Sequence, residues 1–148
     1  MRRTAFILPF ILLPLAAGCG GSGSSDNADT TASGSGGATV IKVMLGEPKE
    51  FALIPAPGTV PSGKVTFAVT NGGAVVHEMV VIKTDTAAGE LGDANGEADE
   101  TNAVGEVADL DPGKAKSITL DLAPGHYALL CNLPGHYTGG MFADFEVT

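Results

Sequence analysis

The segment Cys131-Asn132-Leu133-Pro134-Gly135-His136-Tyr137-Thr138-Gly139-Gly140-Met141 carries a thiol, an imidazole and a thioether, with four residues between successive donors. Soft copper prefers these three donor types. Cu(I) favours sulfur at low coordination number and Cu(II) favours nitrogen in a tetragonal arrangement, and two His, one Cys and a weak Met serve both states. A site that serves both rearranges little on electron transfer, so the pattern predicts one copper ion and one-electron chemistry. Three of the four ligands lie in this segment, and the fourth must be a distant His. The chain has three His. His77 lies in Val75-Val76-His77-Glu78-Met79-Val80-Val81-Ile82, an apolar run of strand composition. A His at the head of such a strand can be held rigidly beside a loop that follows another strand, which makes His77 the expected fourth ligand.

Other chemistries fit these residues less well. Structural zinc sites favour two to four thiolates and do not use thioether. Nucleophilic Cys/His catalysis needs an orienting carboxylate, and none follows His136. Strand alternation also separates the remaining imidazole from the donors. In Gly125-His126-Tyr127-Ala128-Leu129-Leu130-Cys131, the residues Tyr127 and Leu129 share the face of Cys131, so His126 points the other way and is expected to be a solvated surface residue. Tyr127 follows Pro124-Gly125 and is expected to fix the start of its strand through its hydroxyl. Met79 shares a strand face with His77 and is read as core packed near the site.

The elements that must position these donors are strands. Candidates are Val40–Leu45, Phe51–Ile54, Lys64–Thr70, Val75–Lys83, Ala115–Leu122, His126–Cys131 and Met141–Val147, separated by Gly, Pro and Asn turns. No helical periodicity extends over a comparable length. Seven to eight short strands at this spacing predict an all-β antiparallel sandwich, whose rigidity would limit ligand movement. Between Thr84 and Pro112 lies an acidic insertion rich in Asp, Glu, Gly and Ala, expected to be a solvated loop with at most a short helix. Within it, Asp93-Ala94-Asn95-Gly96 lacks the ligand spacing of a calcium loop.

At this point the residues resemble the cupredoxin, or blue (type 1) copper, family, over roughly Thr39 to Thr148. The four-and-four spacing followed by Phe142 resembles its rusticyanin and sulfocyanin branch, and Asn71-Gly72-Gly73-Ala74-Val75-Val76-His77 resembles the turn that leads into the first His ligand. The resemblance implies a Greek-key β-sandwich holding one type 1 copper on His77, Cys131, His136 and Met141. It implies a trigonal plane of Cys131, His77 and His136 with Met141 at a weak axial position. It also implies that His136 is the ligand at the solvent edge, ringed by an apolar collar of Leu133, Pro134, Tyr137 and Gly139 on which redox proteins dock. Where many members carry Asn after the first His and Ser or Thr after the Cys, this chain has Glu78 and Asn132. An Asn132 amide donating to the Glu78 carboxylate would restore that link with reversed polarity.

The amino terminus carries an export signal. Arg2 and Arg3 precede an apolar run, Thr4 to Ala17, interrupted by Pro9 and Pro14 and too short to span a bilayer as a stable helix. It ends in Leu15-Ala16-Ala17-Gly18-Cys19, which resembles a bacterial lipobox with Cys19 as the lipidated residue. Residues 1–18 are therefore expected to be a signal peptide, 19–38 a flexible Gly/Ser-rich tether, and 39–148 the folded domain. The expected product is an exported lipoprotein, anchored on the extracytoplasmic side at a cell surface or in a periplasm. With Cys19 and Cys131 each assigned, no disulfide framework remains.

Charge and residue counts restrict the function further. Removing Arg2 and Arg3 leaves six Lys against seventeen Asp and Glu, which disfavours nucleic acid and suits steering toward basic redox partners. The domain is expected to be a monomer. A copper chaperone or storage protein, the alternative, would favour exposed Met or His clusters, whereas this chain has four Met and three His. A nitrite reductase or multicopper oxidase domain needs further His-rich centres that His126 alone cannot build. The expectation is an electron carrier and not an enzyme.

Overall fold

Alternating apolar and polar residues set the strands. In the computed structural model, which describes residues 37–92 and 95–148, β1 (Thr39–Leu45) buries Ile41, Val43 and Leu45 and exposes Val40 and Lys42. β4 (Gly63–Asn71) buries Val65, Phe67, Val69 and Asn71 in the same period of two. These strands join β2 (Leu53–Ala56) and β7 (Ala115–Leu122) in a four-stranded sheet of order β2-β1-β4-β7. The second sheet has five strands in the order β3-β9-β8-β5-β6: β3 (Thr59–Val60), β9 (Phe142–Val147), β8 (Gly125–Leu130), β5 (His77–Lys83) and β6 (Ala103–Leu110). The result is the all-β, two-sheet sandwich that the strand pattern predicts.

The main core lies between the sheets. Ile41, Val65 and Phe67 of the first sheet meet Val81, Leu129 and Phe145 of the second. The Phe67 and Phe145 rings pack edge to face at 5.3 Å between centroids, a geometry worth about 0.5–1.5 kcal/mol beyond the area it buries. Cys131 and Met141 belong to this same buried cluster, so two of the expected donors rest on the core. Met79 also belongs to it, at 0% exposure.

β5 is buried on both faces, which explains its continuous apolar run. Met79 and Val81 face the main core, while Val80 and Ile82 join Ala88, Ala128, Leu130 and Tyr137 in a second apolar cluster on the outer side. A 3-10 turn at Ala88–Glu90 forms part of that cover. It sits close because Gly89 has no side chain: a Cβ there would fall 2.7 Å from the Phe142 ring.

Four expectations change. The insertion from Thr84 to Pro112 is not a solvated loop throughout, because it contains β6, which pairs with β5 and buries Val107 and Leu110. Those inward residues are three apart, not two, and Asp109 adopts φ +45°, so an irregular edge hides the strand's period. Among the described residues the strands number nine, with the two-residue β3 and the irregular β6 additional to the seven candidates. The sandwich is not wholly antiparallel, since β1 pairs with β4 and β3 with β9 in parallel. β5 begins at His77, two residues later than expected, and leaves Val75 45% exposed. The expected signal peptide, Cys19 and residues 20–36 of the tether lie outside the described residues, as do Asp93 and Ala94 of the insertion. Among the described residues, no helix is long and apolar enough to cross a membrane.

Candidate metal centre

Adjacent antiparallel strands bring the distant donors together. β5 pairs with β8, so His77 at the head of β5 lies beside Cys131, the residue that follows β8. β8 pairs with β9, so Met141, the residue before β9, returns to Cys131, where the Cys131 N–H donates to the Met141 carbonyl at 3.0 Å. The loop between them is cross-braced. The Met141 N–H donates to the His136 carbonyl at 3.1 Å, and the His136 N–H donates to that of Leu133 at 2.9 Å. Its tight path needs glycine at Gly135 (φ +82°) and Gly140 (φ +92°), where another L residue would cost roughly 1–2 kcal/mol.

The donor atoms converge. His77 Nδ1 is 3.2 Å from His136 Nδ1, and Cys131 Sγ is 3.2 Å from the same nitrogen. One nitrogen of each ring and the sulfur all lie within 4.8 Å of one another. Two ring nitrogens and a sulfur aimed at one point need a proton or a cation between them. Metal bonds to such donors run about 2.0–2.3 Å, so this spacing fits one ion. His77, Cys131 and Met141 are fully buried, and His136 is partly exposed. Burial and the neighbouring His77 hold the His136 pKa below its ordinary value, keeping the ring neutral, the form that ligates. Burial pushes the Cys131 thiol up, although the Glu78 N–H, 3.4 Å from Sγ, opposes this. A thiol kept protonated must release its proton on binding a metal.

Around these donors, the structure brings Glu78 and Asn132 together differently from the expectation. The Asn132 main-chain N–H, not its side-chain amide, donates to Glu78 Oε1 at 3.0 Å. The side chain turns away, exchanging bonds with the main chain of Ala98 and donating to Glu100. Burial raises the Glu78 pKa. Asn71 supports the turn before His77, its amide donating to the carbonyls of Val75 and Leu110 and its oxygen accepting the Gly73 N–H.

Two contacts had no signal in the sequence. Glu50 Oε1 lies 2.9 Å from His77 Nε2. The next residue, Phe51, is 41% exposed and packs its ring against His136 at 5.1 Å. Glu50 ends the polar turn Gly46-Glu47-Pro48-Lys49-Glu50, which reads as an ordinary loop, and Phe51 opens the strand candidate Phe51–Ile54 although β2 begins only at Leu53.

The expected collar changes membership. Tyr137 is buried in the outer cluster, its hydroxyl donating to the Ala88 carbonyl and accepting the Leu91 N–H. Leu133 packs partly against the core, Pro134 and Gly139 are exposed, and Phe51 takes the place beside His136 expected of Tyr137. His126 does face away from the donors, but it is not simply solvated. Its side chain is 18% exposed, with Nε2 2.9 Å from Asp144 and Nδ1 2.8 Å from the Thr84 carbonyl. The Tyr127 hydroxyl donates to the Ala123 carbonyl at 2.9 Å, bracing the start of β8 as expected.

Comparison with known proteins follows the same lines. Residues 54–148 match the family described as the Sulfocyanin (SoxE) domain, more than half of the 148-residue chain. Reduced auracyanin from the photosynthetic bacterium Roseiflexus castenholzii is similar at 31% identity and a TM-score of 0.57, over 76% of this chain and 99% of that one. Auracyanin A from Chloroflexus aurantiacus, described as a "blue" copper protein, is similar at 26% identity and a TM-score of 0.58, over 76% of this chain and all of that one. Rusticyanin from Thiobacillus ferrooxidans, at 18% identity and a TM-score of 0.58 over 76% of this chain and 79% of that one, shares the fold. A comparison with curated proteins finds no match.

Proposed function

The chain belongs to the sulfocyanin (SoxE) domain family of cupredoxins, and from that premise we propose that it is a mononuclear blue-copper electron carrier. The observation that carries this reading is the convergence of His77, Cys131 and His136 donor atoms within 4.8 Å of one another. Its cofactor is one type 1 copper. Bound there, copper supplies one-electron chemistry by alternating between Cu(II) and Cu(I). His77, Cys131 and His136 would hold the copper strongly, and Met141 would be a weaker fourth donor that tunes the potential. Main-chain bonds from Met141 to Cys131 and His136 support that assignment, since they fix the spacing of the three loop residues.

His136 is the route for electrons in this account, because it is partly exposed while His77 is fully buried. Redox partners would dock beside it on Phe51, Pro134 and Gly139, and the exposed Val75 lies on the separate turn before β5, tied to the Phe51 turn through Glu50. Small apolar surfaces of this kind suit brief encounters. Steering would favour basic partners and disfavour nucleic acid, given six Lys against seventeen Asp and Glu once Arg2 and Arg3 are removed. The carrier would work outer-sphere as a monomer with no catalysis of its own. It would act on the extracytoplasmic side, exported by the amino-terminal signal and held to a membrane by lipid on Cys19. The test is the visible spectrum of the copper-loaded protein. The wild type should show an intense Cys-to-copper band that Cys131→Ser abolishes, and persistence of the same band in the serine variant would remove Cys131 from the ligand set.

A further inference from the structure

The carboxylate nearest His77 in sequence, Glu78, is committed to the Asn132 N–H. The carboxylate that touches the His77 ring is Glu50, 27 residues upstream. We propose that Glu50 is a positioning residue for the metal centre, holding His77 in the tautomer protonated on Nε2 so that the Nδ1 lone pair faces the other donors. This rests on the copper reading for its use, though the tautomer itself does not depend on metal.

The chemistry follows from donor and acceptor counts. An ionised carboxylate only accepts, so the ring nitrogen 2.9 Å from Glu50 Oε1 must carry the hydrogen. A neutral imidazole carries one N–H, which leaves Nδ1 bare. That is the atom 3.2 Å from His136 Nδ1, inside the donor cluster. Carboxylates placed in this way behind a ligating His fix the ring and raise its basicity.

Glu50 is itself held in place. Both of its oxygens accept the Ala74 N–H at 3.0 Å, and Oε1 also accepts the Val75 N–H at 3.2 Å. One carboxylate thus ties the turn before β2 to the turn that launches β5. The slot for this contact is built from glycine. A Cβ on Gly73 would collide with Glu50 Oε1 and fall 2.9 Å from His77 Nε2, and one on Gly46 would fall 3.1 Å from that nitrogen. The same turn delivers Phe51 to His136, so two successive residues reach the two imidazoles, one by charge and one by an apolar ring.

The experiment uses the full chain, first metal-free, with the nitrogen tautomers of His77 read by 15N NMR. The wild type should carry the proton on Nε2, and Glu50→Ala should move the tautomer ratio at least about tenfold toward Nδ1–H. Glu50→Gln, which keeps the volume and one carbonyl acceptor, should fall between them. Copper(II) titration should then show affinity reduced about 10–100-fold in Glu50→Ala, the range for lost outer partners of ligating His. A wild-type His77 protonated on Nδ1, an unchanged ratio in Glu50→Ala, or unchanged affinity would each overturn the proposal. A wild-type chain that binds copper without a blue band would defeat the copper reading instead, while the metal-free spectrum still decides the tautomer.

Discussion

The two imidazoles of the centre come from opposite kinds of structure. His77 opens a strand buried on both faces, is 0% exposed, and has its outer nitrogen 2.9 Å from a carboxylate. His136 sits on a loop between two left-handed glycines, is partly exposed, and rests on the half-exposed Phe51. One ring belongs to the scaffold and the other to the loop. The scaffold ring fixes where the loop donors must meet it, and the loop ring offers the path to solvent. A redox site needs both, since rigidity keeps rearrangement small and an exposed edge lets a partner approach.

The largest test of that contrast removes each ring in turn. His77→Gly and His136→Gly should both lower copper affinity by more than roughly 100-fold, beyond what loss of an outer partner causes. Added imidazole should restore the visible band only in His136→Gly, because solvent reaches that cavity and not the one at His77. Equal rescue in both would erase the distinction. Next in size is the slot behind the scaffold ring. Gly73→Ala should destabilise the fold by about 1–3 kcal/mol through overpacking, seen as a lower urea midpoint, because the new methyl meets Glu50 and His77. Gly58→Ala, where a Cβ meets nothing within 4 Å, is the matched control.

A smaller effect is expected at the loop's far end. Met141→Gln should lower the reduction potential, since a harder oxygen donor favours Cu(II), and Met141→Leu should raise it. Each shift should be on the order of 59 mV, one decade of relative affinity for a one-electron couple. Voltammetry showing no change in either variant would remove Met141 from the axial role.

The smallest effect lies away from the centre, at His126 and Asp144. Burial pulls the His126 pKa down, but its bonds to the Thr84 carbonyl and Asp144 hold it above the ordinary 6.5. The Ala88 N–H, and then His126, hold the Asp144 pKa below the ordinary 3.8. A raised His contributes fully below 6.5 and loses that contribution as pH rises through its folded value. A lowered Asp contributes above 3.8 and loses its share as pH falls through its folded value. His126→Ala should therefore cost most between about pH 4 and 6.5, by less than ~1 kcal/mol for so exposed a carboxylate, and less above that window. Urea melts of both proteins across pH check this, and a cost that grew toward pH 8 would contradict it.

The convergence of His77, Cys131 and His136 was legible because two of these donors share one short segment and few His compete for the third place. Strand parity also put His126 on the correct face, although its pairing with Asp144 depends on a neighbouring strand that parity does not name. What escaped the sequence was contact made across loops. Glu50 reaches His77 from a turn whose composition signals only solvent, and Phe51 looks like the start of a strand until β2 is seen to begin at Leu53. Asn132 supplies its backbone where a side chain was expected, since residue type says nothing about which amide faces a neighbour. The family resemblance implies Tyr137 in the collar around His136, yet its ring fills the outer cluster with Ala88 of the 3-10 turn. β6 was hidden by its irregular register against β5.

The most direct measurement is the EPR spectrum, taken alongside the visible spectrum, of the full-length protein loaded with one equivalent of copper(II). The account predicts a single copper species with the narrow hyperfine splitting of a thiolate-bound type 1 site and an intense visible band. A wide splitting typical of nitrogen and oxygen ligation, with a weak visible band, would contradict it.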